Sequence, residues 1–134
     1  MYLVDTNVIS EARKGIKANP GVQKFFQTPG NIYISAQTIG EIRRGLENIR
    51  HRGDLPQTSK LEKWLELVVS DYADKILTFD EECAQVWGRL MSPHPEHQID
   101  KQIAAIALIH DLAVVTRNVD DFRGTGVKIV NPFE

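Results

Sequence analysis

Apolar residues are distributed along this chain in two rhythms. Short continuous runs occur at Tyr2-Leu3-Val4, Asn31 to Ile34, Ile76-Leu77-Thr78-Phe79, Leu112-Ala113-Val114-Val115 and Val127 to Val130. Such runs, bounded by polar or turn residues, predict buried strands. Between them the apolar positions are spaced by three and four. Ile39, Ile42, Leu46 and Ile49 form one stripe, and Leu61, Trp64, Leu65, Val68 and Val69 a second. Ala84, Val86, Trp87 and Leu90 form a third. These predict amphipathic helices. Asp5-Thr6-Asn7 ends the first run, and Val8-Ile9 begins a helix. Asn19-Pro20 reads as a cap followed by proline at the first helical position, opening a helix through Phe25-Phe26. Ile99 to His110 is apolar on most faces, which predicts a buried helix. Gly53-Asp54-Leu55-Pro56 reads as a break, and Met91 to His97, with two prolines, as a loop.

Strands alternating with helices predict an α/β fold, a three-layer α/β/α sandwich around a mostly parallel sheet. Strands without polar alternation are expected where helices cover both faces. Ligand sites in such sheets lie outside the carboxyl ends of the strands. No repeat or linker divides residues 1–134, so one domain is expected.

Composition narrows the function classes. Hydrophobic residues are 42% and charged residues 25%, which excludes disorder as the dominant state. The formal net charge of −2 leaves no bulk electrostatic case for binding nucleic acid, so any such site is a local patch. A single cysteine, Cys83, excludes an internal disulfide and a multi-cysteine metal site and suits a reducing cytoplasm. The opening residues have no basic leader, and no apolar run approaches the ~20 residues that span a membrane. A soluble, cytoplasmic protein is expected.

The carboxylates carry the candidate chemistry. Asp5 follows the first strand and is either a helix cap or a site acid. Glu41 lies at the edge of its helix's buried stripe, with the small Gly45 one turn later; alone it reads as a solvated helix carboxylate. Asp100 precedes the apolar stretch from Ile103 to Ala107. An acid against so apolar a helix is costly unless paired or metal-bound. Asn118, Asp120 and Asp121 follow the fourth strand, where turn chemistry also favours them. Together these groups can converge above the sheet. Clustered carboxylates repel and need cations. Oxygen donors without cysteine point to Mg²⁺ or Mn²⁺. Arg43 and Arg44, beside Glu41, read equally as a solvated helix face or as phosphate contacts. His51, His94, His97 and His110 show no metal-ligand spacing. Phosphate-cradling glycine loops and nucleophile elbows are absent.

In order along the chain stand Leu3-Val4-Asp5-Thr6-Asn7-Val8-Ile9-Ser10, Ile34-Ser35, Thr38, Glu41 and Gly45. Then come Asp100-Lys101-Gln102-Ile103-Ala104-Ala105-Ile106-Ala107, Val115-Thr116-Arg117-Asn118-Val119-Asp120-Asp121-Phe122 and Val130-Asn131-Pro132-Phe133. This series resembles the PIN-domain ribonucleases of the VapC toxin class, including their FitB-like branch. The resemblance implies an α/β/α fold, an acidic pocket binding Mg²⁺ or Mn²⁺, and RNA cleavage. It implies a VapB-like antitoxin, a homodimer within a larger assembly, and DNA contact only through the antitoxin. By motif, Asp5, Glu41 and Asp100 are the core acids, with Asp5 and Asp100 as main metal ligands. Thr6, Asn7 and Thr116 stand around them. The fourth position falls to Asn118, Asp120 or Asp121, of which Asp121 can supply the missing charge. In place of a glycine-rich loop before the third acid stands Pro93-His94-Pro95-Glu96.

Two other classes compete. A phospho-acceptor receiver also gathers acids at strand ends, with Asp80 as its acceptor. It requires adjacent acids after the first strand and a lysine ending the fifth; here Thr6-Asn7 follow Asp5, and Lys128 falls inside the fifth run. A catalytically inactive interaction domain would have no need for the three acids.

Overall fold

The computed structural model describes residues 1–134. Strand β1 (Tyr2–Val4) leads into helix α1 (Thr6–Ala12), then α2 (Pro20–Gln27), β2 (Ile32–Ser35), α3 (Ala36–His51) and α4 (Leu55–Asp71). Strand β3 (Ile76–Leu77), α5 (Glu81–Met91), α6 (Gln98–His110), β4 (Ala113–Val115), α7 (Val119–Phe122) and β5 (Ile129–Val130) complete the chain. All pairings are parallel, in the order β3-β2-β1-β4-β5. This is the expected parallel α/β architecture.

Alternation along the strands sorts the core into two layers. Val4 and Val115 face α1 to α4, packing with Val8, Val22, Ile42, Leu46 and Leu65. Leu3 and Val114 face the other way, against Cys83, Ile103, Ile106 and Phe122. Ile103 to Ala107 are fully buried, as their lack of a polar face demands, whereas Ile99, Leu108 and Ile109, expected in the same buried helix, remain exposed at its ends. No helix is long and apolar enough to cross a membrane.

Three boundaries differ from expectation. The third strand ends at Leu77 instead of Phe79. It pairs only with β2, in register Ile34 with Ile76 and Ser35 with Leu77, and has no partner once β2 ends. Phe79 packs edge-on against Trp87. The fifth strand begins at Ile129 because Gly126, at φ 90°, turns the chain beforehand. The break at Gly53 to Pro56 is narrower than expected. Asp54 accepts a hydrogen bond from the Gln57 amide, which starts α4 at Leu55 and leaves Pro56 in its first turn.

The chain winds outward from β1 to β2 and β3, then returns to place β4 on the other side of β1. The β1–β4 boundary is therefore a topological switch point, where connections part and leave a crevice. The segments after β1, β2 and β4 open onto it.

Candidate metal centre

Asp5 sits at the switch point and is 3% exposed. Its Oδ1 accepts from the Thr6 amide at 2.8 Å, capping α1. Its Oδ2 accepts from Thr116 Oγ1 at 2.8 Å and from Asn7 Nδ2 at 3.3 Å. The cap read in the sequence is thus present, and its geometry leaves the site-acid reading open because the same carboxylate stands at the switch point. Asn7 also ties the segments after β1 and β4 together, because its Oδ1 accepts from the Arg117 amide at 3.1 Å. Thr116 receives the Asn118 amide at 3.0 Å. Burial raises the Asp5 carboxyl above its usual range, and the hydrogen bonds from Thr116 and Thr6 oppose this.

Glu41 arrives from α3. Ser35 caps this helix by accepting from the Thr38 amide at 3.1 Å, which directs the first turns toward Asp5. Thr6 Oγ1 donates to Glu41 Oε1 at 2.6 Å, and Thr38 Oγ1 lies 3.2 Å from Thr6 Oγ1. A hydroxyl has one proton. With Thr6's committed to Glu41, Thr38 donates to Thr6, and Ser35 Oγ, 3.3 Å away, donates to Thr38. Burial also raises the Glu41 carboxyl, against the Thr6 bond. Gly45 leaves open space, and with Thr6, Ser10, Arg13 and Trp64 it lines a cavity of about 220 Å³ beside Glu41.

Asp100 lies in the first turn of α6 and is the most perturbed acid. Burial, then the charges of Asp5, Asp121 and Glu41, push its carboxyl up to about 7. None of Asp5, Glu41 or Asp100 forms an ion pair with lysine or arginine. With Asp121, four carboxylates crowd together, opposed by Arg44 near Glu41 and by the His97 ring 3.6 Å from Asp121, a donor set that fits a divalent cation.

The segment after β4 separates its three candidates. Asp121 is half-buried and its charge is felt at both Asp5 and Asp100. Asp120, 83% exposed at its side chain, points outward to Arg123. Asn118 is exposed and contributes its amide to Thr116.

The two arginines of α3 diverge. Arg44 remains near enough to Glu41 to oppose the rise of its carboxyl. Arg43, read with Arg44 equally as a solvated helix residue or as a phosphate contact, binds Glu62 of α4 at 2.7 Å and Glu47 at 3.1 Å, because α3 and α4 pack along that face. Asp80, the acceptor of the receiver reading, caps α5 through the Cys83 amide at 3.0 Å and is not among the charges felt at Asp5, Glu41 or Asp100.

Four residues were given no role at the site by the sequence reading. Ser35 and Thr38 build the hydroxyl chain, and the cap spacing Ser35 to Thr38 was its only local signal. Lys101 is buried with its ammonium on the His94 carbonyl. His97 lies with Asp100 and Asp121, one donor atom of each falling within 4.8 Å of the others. No motif spacing marked it.

The comparisons agree with this geometry. The PIN domain family matches residues 2–128. The chain is 32% identical to the plasmid stability protein StbB of Pseudomonas syringae pv. tomato, covering 100% of this chain and 99% of that protein. It is 30% identical to toxin FitB of Neisseria gonorrhoeae (99% of each) and 30% to VapC ribonuclease Y4jK of Sinorhizobium fredii (100% and 99%). The crystal structure of FitAcB from Neisseria gonorrhoeae superposes with a TM-score of 0.87 at 31% identity over 100% of this chain and 99% of that one. FitAB bound to an IR36 DNA fragment gives 0.82 at 30% identity over 100% and 96%. With the switch-point acids, the matched span and relatives aligned end to end, this chain belongs to the PIN domain family.

Proposed function

We propose that this chain is a divalent-metal-dependent endoribonuclease and the toxin of a toxin–antitoxin pair. The carrying observation is the convergence of Asp5, Glu41, Asp100 and Asp121, in which burial, followed by the charges of the other three acids, raises Asp100 to about 7. Relatives named as a toxin and as a ribonuclease support the same reading.

Asp5, Asp100 and Asp121, with Glu41, would hold Mg²⁺ or Mn²⁺. Such a cation polarises a scissile phosphate and makes water a stronger nucleophile at neutral pH. Glu41, held by Thr6, is placed to orient that water and take its proton. Its raised carboxyl makes it a stronger base than an ordinary glutamate. Asn7 and Thr116 hold Asp5 in one orientation and keep the β1 and β4 segments together. Arg44, which stays near Glu41, would meet the RNA backbone. The substrate is single-stranded or looped RNA, whose bases are unstacked and open to contact. A VapB-like antitoxin would cover the acids, the toxin would pair as a homodimer, and DNA would be met through the antitoxin. The FitAB–DNA structure supports that arrangement.

The test is cleavage of single-stranded RNA by the wild type, Asp5→Asn and Asp100→Asn, with and without chelator. Both variants should fold and lose at least about 100-fold in rate, as removal of a main charge-stabilising group does. Undiminished cleavage in chelator, or by Asp5→Asn, overturns the reading. Expression in its own host should slow growth, and the antitoxin should restore it.

A further inference from the structure

His97 stands one residue ahead of α6 and three before Asp100. Its side chain makes no capping bond to the helix. Its Nε2 lies 3.6 Å from Asp121 Oδ1, beyond hydrogen-bond distance. The donor atoms of His97, Asp100 and Asp121 all lie within 4.8 Å of one another. Ligands about 2.1–2.2 Å from a six-coordinate ion sit about 3 Å apart when adjacent and about 4.3 Å when opposite. The 3.6 Å separation of His97 and Asp121 lies between these two values, so a small turn of the ring brings both donors onto one ion.

We infer that His97 is a nitrogen ligand of the metal centre and biases it toward Mn²⁺ over Mg²⁺. This rests on Asp100 and Asp121 being metal-holding acids. Carboxylates alone accept either ion, whereas imidazole suits transition metals and adds little for Mg²⁺. The ring is half-exposed, so it can turn onto an ion without opening the core. A cavity of about 230 Å³, lined by His97, Asp121, Lys101 and Glu96, provides a way in from solvent.

The experiment uses the full chain without a histidine tag, loaded with Mn²⁺, beside His97→Asn. Asparagine tolerates the left-handed backbone that His97 adopts at φ 59°. Pulsed electron paramagnetic resonance of bound Mn²⁺ should show a directly coordinated ¹⁴N in the wild type and none in His97→Asn. In calorimetric titrations the variant should lose at least roughly tenfold in Mn²⁺ affinity. Its Mg²⁺ affinity should hold, so the Mn²⁺/Mg²⁺ ratio falls. Bound Mn²⁺ without nitrogen coupling in the wild type overturns the assignment, as does coupling that persists in His97→Asn or an unchanged ratio. Those outcomes leave the acidic centre standing. Failure of the wild type to bind either ion, or wild-type binding by Asp100→Asn, overturns the acidic centre and the role of His97 with it.

Discussion

Thr6 Oγ1 lies 2.6 Å from Glu41 Oε1, although 35 residues separate them in the chain. The bond joins the first turn of α1 to the second turn of α3, and Thr38 and Ser35 extend it to the end of β2. A half-buried carboxylate is thereby kept in one orientation beside Asp5. The bond also lowers the Glu41 carboxyl against the rise that burial imposes.

Thr6→Val keeps the side-chain shape and removes the donor. The Glu41 carboxyl should then rise further, and the acidic limb of the pH–rate profile should move to higher pH. We expect kcat to fall by roughly tenfold, the scale of one lost positioning hydrogen bond. Thr6→Ser should restore both. An unmoved acidic limb in Thr6→Val would show that Glu41 does not govern the rate.

Asp120 and Asp121 are neighbours in sequence and opposite in environment. Asp121→Asn should weaken Mn²⁺ binding by roughly 10–100-fold, the range seen when a group supporting a metal site is lost. Asp120→Asn removes an exposed partner of Arg123 and should change little. Mn²⁺ titrations of cleavage for both variants decide the matter, and the reverse ranking would reject the assignment.

Metal-free protein should lose stability as pH rises. Asp100 titrates near 7 in the fold against an ordinary value of 3.8. Between those values the native state binds more protons than the unfolded chain, so stability falls with pH. The favourable contribution is complete below about 3.8 and lost through about 7. Asp5 and Glu41, also raised, act with the same sign. Tm without metal should therefore be higher near about pH 5 than near about pH 8. Asp100→Asn should flatten the curve, and Mn²⁺ should restore Tm at the alkaline end. A Tm that climbs across this range for metal-free wild type would contradict the crowding of these acids.

Phe122 is fully buried and ends the short helix that carries Asp121. Phe122→Ala should cost about 3–5 kcal/mol through lost burial and the cavity left behind. Tm should fall on the order of 10 °C or more. Thermal unfolding measures this directly, and a loss under about 1 kcal/mol would mean that α7 is not anchored through Phe122.

Much of this protein was determined locally. Continuous apolar runs bounded by turn residues, such as Leu112 to Val115, predict strands covered on both sides, so the parallel sheet and its helical layers were legible. The caps at Asp5 and Asn19 were legible too, because a cap depends on residues within one turn. The Asp-Thr-Asn opening and the Asp100 segment marked the acids by resemblance. Tertiary structure decided what depends on long chain separations. Sheet order brought Thr116 to Asp5 across 111 residues. Register with β2 shortened β3, and the packing of α4 on α3 drew Arg43 away to Glu62 while Arg44 stayed near Glu41. His97 joined Asp121 only because α6 and α7 meet beside the β1–β4 crevice. Hydrogen bonding and metal ligation require atoms a few ångströms apart, and for residues far apart in the chain only the fold sets that distance.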